Sequence, residues 1–332
     1  MENEFKHIRA WRVNPLRVLA DVLIHWPYLQ HIAKKTTTSL RLDYADGARK
    51  EIEHDIRHGA FFITNHRDIV MDSAWLSLLV EKRYGIRPFI GIGNNLFGKW
   101  WIEPFVRFNC AFVVIRDGSP RELLQNSQTL SKYIMHLREH KKSIWLAQRE
   151  GRAKDGNDLT QHAVLKMLAM SSKDFLEAVR KLNFCPVCIN YEYDPCDYLK
   201  AQEMQLKRDV EGWKKSKEDD LLSMKTGIFG QKGRVVFRLT PSINRWLDLH
   251  ETELRTLTKN EQIEAVANQI DLQIHRNYEM YERGTEFEQY LQQQCDKIQI
   301  ENKDTDFLME KLHEMYNNPV KNYEKSHLSG VL

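Results

Sequence analysis

The sequence predicts an α/β fold, with a mixed central β-sheet flanked by helices on both faces, N-terminal amphipathic helices and a helical C-terminal extension. Two observations indicate this fold. Between about residues 59 and 240, short apolar segments alternate with segments of helical periodicity. Beyond residue 246 the chain is polar, rich in Gln and Glu and helical in pattern, without further strand signals.

Six segments are predicted as strands because each is short, apolar and rich in β-branched or aromatic residues. They are 59–64, 87–92, 111–116, 142–148, 184–193 and 233–239. Helices are predicted between them at 70–84, 121–140 and 162–181. The charged segment 200–226 is predicted as a solvated helix followed by a mobile loop.

Residues 14–33 have apolar side chains at helical spacing, with Pro15 near the start and Pro27 interrupting the pattern. Two short helices are predicted, because proline breaks a helix interior. They either pack on the core or lie on a membrane surface. The side chains that suit a membrane interface are Trp26, Tyr28, Lys34 and Lys35.

The 332-residue chain is accordingly divided into three parts. Residues 1–50 form an N-terminal helical segment with possible membrane-surface contact. Residues 51–245 form the α/β domain, and residues 246–332 form the helical C-terminal extension.

Composition excludes several classes of protein. A net charge of +3 is too small to indicate a nucleic-acid partner. No apolar run of about 18 residues predicts a transmembrane helix, and the N-terminus lacks the apolar core of a signal peptide. Five cysteines, an odd number in a long chain, do not indicate a disulfide framework. We therefore expect a reducing, cytoplasmic setting.

The stretch "FFITNHRDIVMDSAWLSLLV" (61–80) places four polar residues between a predicted strand and a predicted helix. Asn65 or Asp68 would serve as a helix N-cap, which accounts for one of the four. His66, with acidic side chains close behind it, would suit a general base. A protein-kinase catalytic loop is excluded, because Ser73 stands where that motif needs Asn and no Asp-Phe-Gly follows.

Two further strand ends present arginines. Arg116 ends "AFVVIR", and Glu150-Gly151-Arg152 follow the strand in "WLAQREGRAKDGND". Such residues are either solvated surface charges or an anion site, since ligands bind at the carboxyl ends of strands in α/β sheets. Both interpretations remain open from the residues alone.

The stretch "CPVCINYEYDP" (185–195) is predicted as a Pro-led strand. Its Cys185-x-x-Cys188 spacing resembles redox and zinc motifs, but the pair lies inside a strand without a second Cys or His pair at zinc spacing. We interpret Cys110, Cys196 and Cys295 as ordinary core or surface residues.

Four stretches in this order resemble the glycerolipid acyltransferase superfamily, and most closely its glycerol-3-phosphate acyltransferase branch. They are "NHRDIVMD", "GIGNN…FNCAFVVIRD", "REGRAKDG" and "CPVCINYEY". That family has a His-x4-Asp block, a glycine-rich block leading to an arginine, a Glu-Gly-x-Arg block and a Pro-led strand. The resemblance covers about residues 61–200.

The resemblance implies that His66 is the general base, with a nearby aspartate as its partner. It also implies that Arg116 and Arg152 hold the phosphate of the acceptor, and that Glu150 and Gly151 shape the acceptor pocket. The Pro-led strand would line the site.

Two positions depart from the family pattern. The family places the aspartate five residues after the histidine, where this chain has Met71. Asp72 follows one residue later and is the preferred partner, with Asp68 as the alternative. Glu150 lies two residues before Arg152, whereas the family has it three before.

The function implied is an O-acyltransferase of phospholipid biosynthesis that needs no metal or other cofactor. An acyl thioester of acyl carrier protein or coenzyme A would donate to a hydroxyl of glycerol-3-phosphate or 1-acylglycerol-3-phosphate. We expect it on the inner face of the membrane, as a peripheral protein. The alternatives are a non-catalytic lipid-phosphate binding or scaffold protein on the same fold, and an acyltransferase for another acceptor such as an amino-acid lipid.

Overall fold

The structure is a computed structural model that describes residues 5–9, 24, 26–97 and 110–328. Within these residues, seven strands form one sheet. They are β1 (Thr37–Tyr44), β2 (Phe61–Thr64), β3 (Phe89–Gly93), β4 (Ala111–Val114), β5 (Ile144–Ala147), β6 (Phe184–Tyr191) and β7 (Gly233–Leu239). The six predicted strands are confirmed, and β1 is an addition.

Twelve α-helices surround the sheet within the described ranges. They are α1 (Trp26–Thr36), α2 (Arg49–Arg57), α3 (Met71–Tyr84), α4 (Pro120–Glu139), α5 (His162–Leu168), α6 (Phe175–Leu182), α7 (Asp197–Asp209), α8 (Lys217–Phe229), α9 (Asn244–Leu254), α10 (Lys259–His275), α11 (Thr285–Asp296) and α12 (Thr305–Leu328).

The sheet is mixed, as predicted, with the strand order β1-β7-β6-β2-β5-β3-β4. The strands from β6 to β4 are parallel, while β7 is antiparallel to β6 and β1 is parallel to β7. The added strand β1 is at the sheet edge, and its side chains are partly or fully exposed. It therefore lacks the continuous apolar run by which buried strands are recognised.

Helices cover both faces of the sheet, which confirms the predicted layers. Successive side chains of a strand point to opposite faces. Phe61 and Ile63 of β2 accordingly belong to the core beneath α4, α5, α6, α9 and α10, and Phe62 belongs to the core beneath α1, α2 and α3. The side chains on both faces of β2 are apolar, because neither face of the central strands is exposed to solvent.

The C-terminal region is helical, as predicted, and packs in two places. Residues of α9 and α10 complete the core on one face of the sheet. Helices α11 and α12 form a separate apolar cluster with α7, which includes Phe287, Leu291 and Leu312. The predicted division of the chain at residue 246 stays a prediction.

Pro27 lies in the first turn of α1, where its missing N–H needs no helical partner, so the second of the two helices predicted in 14–33 begins there. The first of them, before Pro27, falls almost entirely outside the described residues. Two other details of the helix prediction were wrong. The segment 162–181 contains two helices, because Asp174 caps a new one by accepting from the N–H of Glu177 at 2.9 Å.

The second correction concerns the segment 200–226, where a loop was predicted after the first helix. The structure has a second helix there, α8. Ser216 and Asp219 form a capping box that begins it. None of the helices within the described ranges has the length and apolarity needed to cross a bilayer.

Candidate active site

The predicted site residues lie at one edge of the sheet, around a cleft of about 710 Å³. His66 follows β2, Arg116 lies beyond β4 and Arg152 lies beyond β5. These strands run in the same direction, so their carboxyl ends meet at one edge. The structure brings His66, Arg116, Glu150, Gly151 and Arg152 together, since all five line the cleft.

The imidazole of His66 is held by the carboxylate of Asp72. His66 Nδ1 lies 2.9 Å from Asp72 Oδ2. The same oxygen accepts the backbone N–H groups of Arg67 at 2.7 Å and Asp68 at 2.9 Å. Asp72 Oδ1 accepts the hydroxyl of Tyr191 at 3.1 Å. Four donors thus orient a fully buried carboxylate, and the ring nitrogen Nε2 is left for a ligand in the cleft.

A six-residue segment before α3 makes this contact possible. Residues 65–70 are non-helical, and α3 begins at Met71, so Asp72 lies in the first helical turn. Relative to the family spacing, this chain has one extra residue between the histidine and the aspartate. The non-helical segment 65–70 accommodates it, so the helix itself is not altered. Asn65 fixes the beginning of the connection by donating to the carbonyl of Ile189 at 2.9 Å and accepting its N–H at 2.7 Å.

Asp68, the alternative partner of His66, accepts backbone donors just before α3 and at its first residue, although the N-cap residue itself is Val70, without a side-chain capping bond. Its Oδ1 accepts the backbone N–H groups of Val70 and Met71, each at 2.8 Å. Burial raises the pKa of Asp68, and the nearby carboxylate of Asp72 raises it further. Asp72 therefore contacts the His66 ring, whereas Asp68 bonds to the backbone at the beginning of α3 without being its N-cap residue.

Helix α8 packs directly against Asp68. A Cβ at Gly227 would overlap Asp68 Oδ2, so only glycine fits at that point of the helix. The connection that holds His66 is thus braced from outside by a helix about 160 residues further along the chain.

Arg67 lies on the other side of the connection, away from the cleft lining. Its guanidinium pairs with Asp158 at 3.1 Å, and both side chains are nearly or fully buried. Asp158 also accepts the hydroxyl of Tyr278 at 3.1 Å and the side-chain amide of Asn65 at 3.4 Å. The C-terminal region therefore reaches the histidine connection through a buried ion pair, as a structural brace.

The last residue of β3, Gly93, and the residue after it, Asn94, shape the surroundings of Arg116. A Cβ at Gly93 would lie 3.0 Å from Arg116 Nε. Asn94 Oδ1 accepts the backbone N–H of Arg116 at 2.9 Å. The guanidinium is partly exposed and lies 3.6 Å from the exposed carboxylate of Glu150. Arg116 is thus positioned by its backbone, while its charged end stays accessible to an anion.

Arg152 is the buried cation of the cleft. Its Nη1 is buried without a hydrogen-bond partner, and the side chain lines the cleft. Burial tends to lower its pKa, but polar neighbours led by Cys196 and Asp194 outweigh this and raise it. Gly151 before it has φ +71°, a left-handed conformation that favours glycine. A charged, unsatisfied donor of this kind suits an anionic ligand.

Sequence reasoning missed several charged residues of the cleft. Arg149 and Lys154 lie in a stretch that was singled out, but no role was assigned to them. Lys154 pairs with Glu203, and burial lowers the pKa of Lys154 to about 8. Lys215 pairs with Asp220 at 2.6 Å. The residues of α7 and α8 carry no local signal, because they reach the cleft only through tertiary packing.

The lining of the cleft also contains large apolar side chains. They are Ile92, Leu96, Val114, Ile115, Leu123, Leu146, Val164 and Met167. A cleft lined by both cationic and apolar side chains suits an amphiphilic ligand.

Cys185 and Cys188 are buried within β6, as the strand interpretation predicts, and burial raises the pKa of each thiol. None of the five cysteines, all of them among the described residues, forms a disulfide. Among the described residues, no group of three or more His, Cys, Asp or Glu side chains is arranged to hold a metal ion. Comparison of the chain with protein-family models and with curated proteins finds no match.

Proposed function

We propose that the protein is an O-acyltransferase that transfers a fatty acyl group from an acyl thioester to a hydroxyl of a glycerol phosphate. The observation that favours this most is the His66–Asp72 pair, which opens on a cleft that also contains Arg116 and Arg152. The apolar side chains of the cleft suit an acyl chain, and the guanidinium groups suit a phosphate. The motif resemblance points to the same chemistry.

In the proposed reaction, His66 Nε2 takes the proton of the acceptor hydroxyl while Asp72 stabilises the imidazolium. The oxygen then bonds to the thioester carbonyl carbon. The tetrahedral intermediate collapses as the carbon–sulfur bond breaks, and the leaving thiolate receives the proton from His66. The products are an ester and a free thiol.

The acceptor would be glycerol-3-phosphate or 1-acylglycerol-3-phosphate, and the donor an acyl carrier protein or coenzyme A thioester. Because the product is amphiphilic, we also propose a cytoplasmic protein that binds peripherally to the inner face of the membrane. These assignments rest on the chemistry of the cleft and on the resemblance.

The reaction is tested by thiol release from acyl-coenzyme A and acyl-acyl carrier protein, with and without each acceptor. We expect release that depends on one of the two glycerol phosphates. A panel that adds a hydroxylated amino-acid lipid would identify a different acceptor. Binding of glycerol phosphates without acceptor-dependent thiol release would instead indicate the lipid-phosphate binding protein.

Substitution Arg116→Gln tests the phosphate site. We expect the KM for the acceptor to rise roughly 10- to 100-fold, because a charge-assisted hydrogen bond contributes about 1.5–3 kcal/mol. The KM for the donor should change little. Arg121→Gln, at an exposed arginine of α4, is the matched control. Equal weakening of donor and acceptor would contradict the assignment.

A further inference from the structure

Lys232, the residue before β7, is a fully buried lysine. Its ammonium group donates to the carbonyls of Gly230 at 2.8 Å and Ile228 at 3.4 Å. It also lies 5.3 Å from the centre of the Trp75 ring. None of these described contacts is a carboxylate. Because a buried charge costs free energy unless opposite charges compensate it, the compensating groups must lie somewhat further from this ammonium.

The two helices that contact Lys232 also contact or contain the aspartates of the candidate site. The carbonyls that accept from Lys232 follow Gly227 within one helical turn, and Gly227 lies against Asp68 Oδ2. Trp75 lies in α3, one turn after Asp72. The ammonium is thus enclosed between the part of α8 that touches Asp68 and the part of α3 that contains Asp72.

Four groups attract the charge of Lys232. Burial lowers the pKa of Lys232 to about 8, and attraction by its neighbours limits the decrease. In order of their effect, these neighbours are Asp68, Cys196, Asp194 and Asp72. At neutral pH the lysine therefore carries its charge.

Two of these four groups do not compensate that charge. Asp194 accepts from the buried ammonium of Lys200 at 2.5 Å. Burial raises the pKa of the Cys196 thiol to about 12, so the thiol is neutral at neutral pH. The two aspartates between β2 and the second residue of α3 are therefore left as the main counter-charges of Lys232.

These two aspartates need a nearby cation, because they are buried close together. Asp72 Oδ2 accepts the backbone N–H of Asp68 at 2.9 Å. Burial raises the pKa of Asp68, and the carboxylate of Asp72 raises it further. Two adjacent buried carboxylates share a proton unless other groups stabilise both charges. An ionised Asp68 also strengthens its hydrogen bonds from the backbone of Val70 and Met71, at the beginning of α3.

We propose that Lys232 is a positioning residue of the candidate active site, whose buried positive charge keeps Asp68 and Asp72 ionised at the same time. Lys232 acts through these aspartates, not on the substrate. Asp72 then orients the His66 ring with its full charge, and Asp68 holds the beginning of α3. The consequence for turnover rests on the proposed function, whereas the ionisation of Asp68 does not.

The first test is an NMR titration of the full-length chain with carbon-13-labelled aspartate carboxyl groups. The Asp68 signal is identified by its absence from Asp68→Asn proteins. We expect its titration midpoint to rise by about one unit or more in Lys232→Met, because the compensating cation is removed. Lys225→Met, at an exposed lysine of α8, is the control and should leave the midpoint unchanged.

Melting temperatures separate this role from simple capping of α8. If Lys232 only donated to carbonyls at the end of α8, the effects of Lys232→Met and Asp68→Asn would be additive. We expect instead that Asp68→Asn lowers the melting temperature of wild type but not that of the Lys232→Met protein. Only wild type then loses a compensated pair of buried charges.

Thiol release measures the consequence for the reaction. The kcat of Lys232→Met should be roughly tenfold lower than that of wild type, which is the difference between a charge-assisted and a neutral hydrogen bond. An unchanged kcat would remove the positioning role.

An unshifted Asp68 midpoint in a folded Lys232→Met protein, or additive melting temperatures, would also overturn the inference. If Lys232→Met does not fold, Lys232→Gln replaces it, because its amide still donates to the carbonyl of Gly230 without a charge. If neither folds, Lys232→Met/Asp68→Asn decides: a folded double variant supports the charge pair, and an unfolded one contradicts it. Wild type that releases no thiol would contradict the proposed function alone, since titration and melting need no turnover.

Discussion

Substitution of His66→Ala is expected to lower turnover about 10²- to 10⁴-fold, the usual contribution of a general base. The substitution removes the imidazole, which lines the cleft and contacts Asp72. The backbone N–H groups of Arg67 and Asp68 and the hydroxyl of Tyr191 still satisfy the carboxylate. The fold should therefore survive.

Turnover of the His66 variant is measured by thiol release at saturating donor and acceptor. The control is His54→Ala, at a histidine of α2 whose side chain is 71% exposed. Its turnover should equal that of wild type. A folded His66→Ala protein with wild-type turnover would remove the general base from the proposal.

Substitution of Asp72→Asn is expected to lower turnover roughly 10- to 100-fold without unfolding the protein. An asparagine oxygen in the place of Oδ2 can still accept from His66, Arg67 and Asp68, and its amide nitrogen can donate to the oxygen of Tyr191. What is lost is the negative charge that stabilises the imidazolium. A charge-assisted hydrogen bond contributes about 1.5–3 kcal/mol, which corresponds to this range of rates.

The control for this variant is Asp306→Asn, because Asp306 also lies in the first turn of a helix, α12, and is exposed. Single-turnover measurements separate the chemical step from product release. Undiminished single-turnover rates in a folded Asp72→Asn protein would show that the carboxylate only positions the chain.

The fold could be predicted where buried segments have a recognisable local pattern of apolar residues. Residues 61–64, 144–147 and 184–191 are fully buried or nearly so, and each reads as an apolar segment. Strand β1 and helix α2 were not predicted, because an edge strand and a short surface helix are partly solvated. Their apolar patterns are therefore weaker. Helix α8 was not predicted, because several of its large apolar side chains are exposed and do not form the buried stripe expected of a surface helix.

The candidate site could be predicted where a reactive or charged side chain follows the end of a predicted strand. His66, Arg116 and Arg152 each stand beyond a strand, and parallel strands bring such residues to one edge. The choice between Asp68 and Asp72 could not be made in this way, because it depends on where α3 begins. The contacts of Tyr191 and Gly227 with these aspartates also lacked a local signal.

The sequence by itself determined the layers of the fold and the types of side chain at the strand ends. These follow from periodicity and from the nature of individual side chains, both of which act within a few residues. Only the tertiary structure decided which carboxylate holds the His66 ring, which arginine of the cleft is buried with one guanidinium nitrogen lacking a partner, and which helix adjoins the cleft. Such contacts join residues more than a hundred positions apart or depend on the turn at which a helix begins, and packing alone settles them.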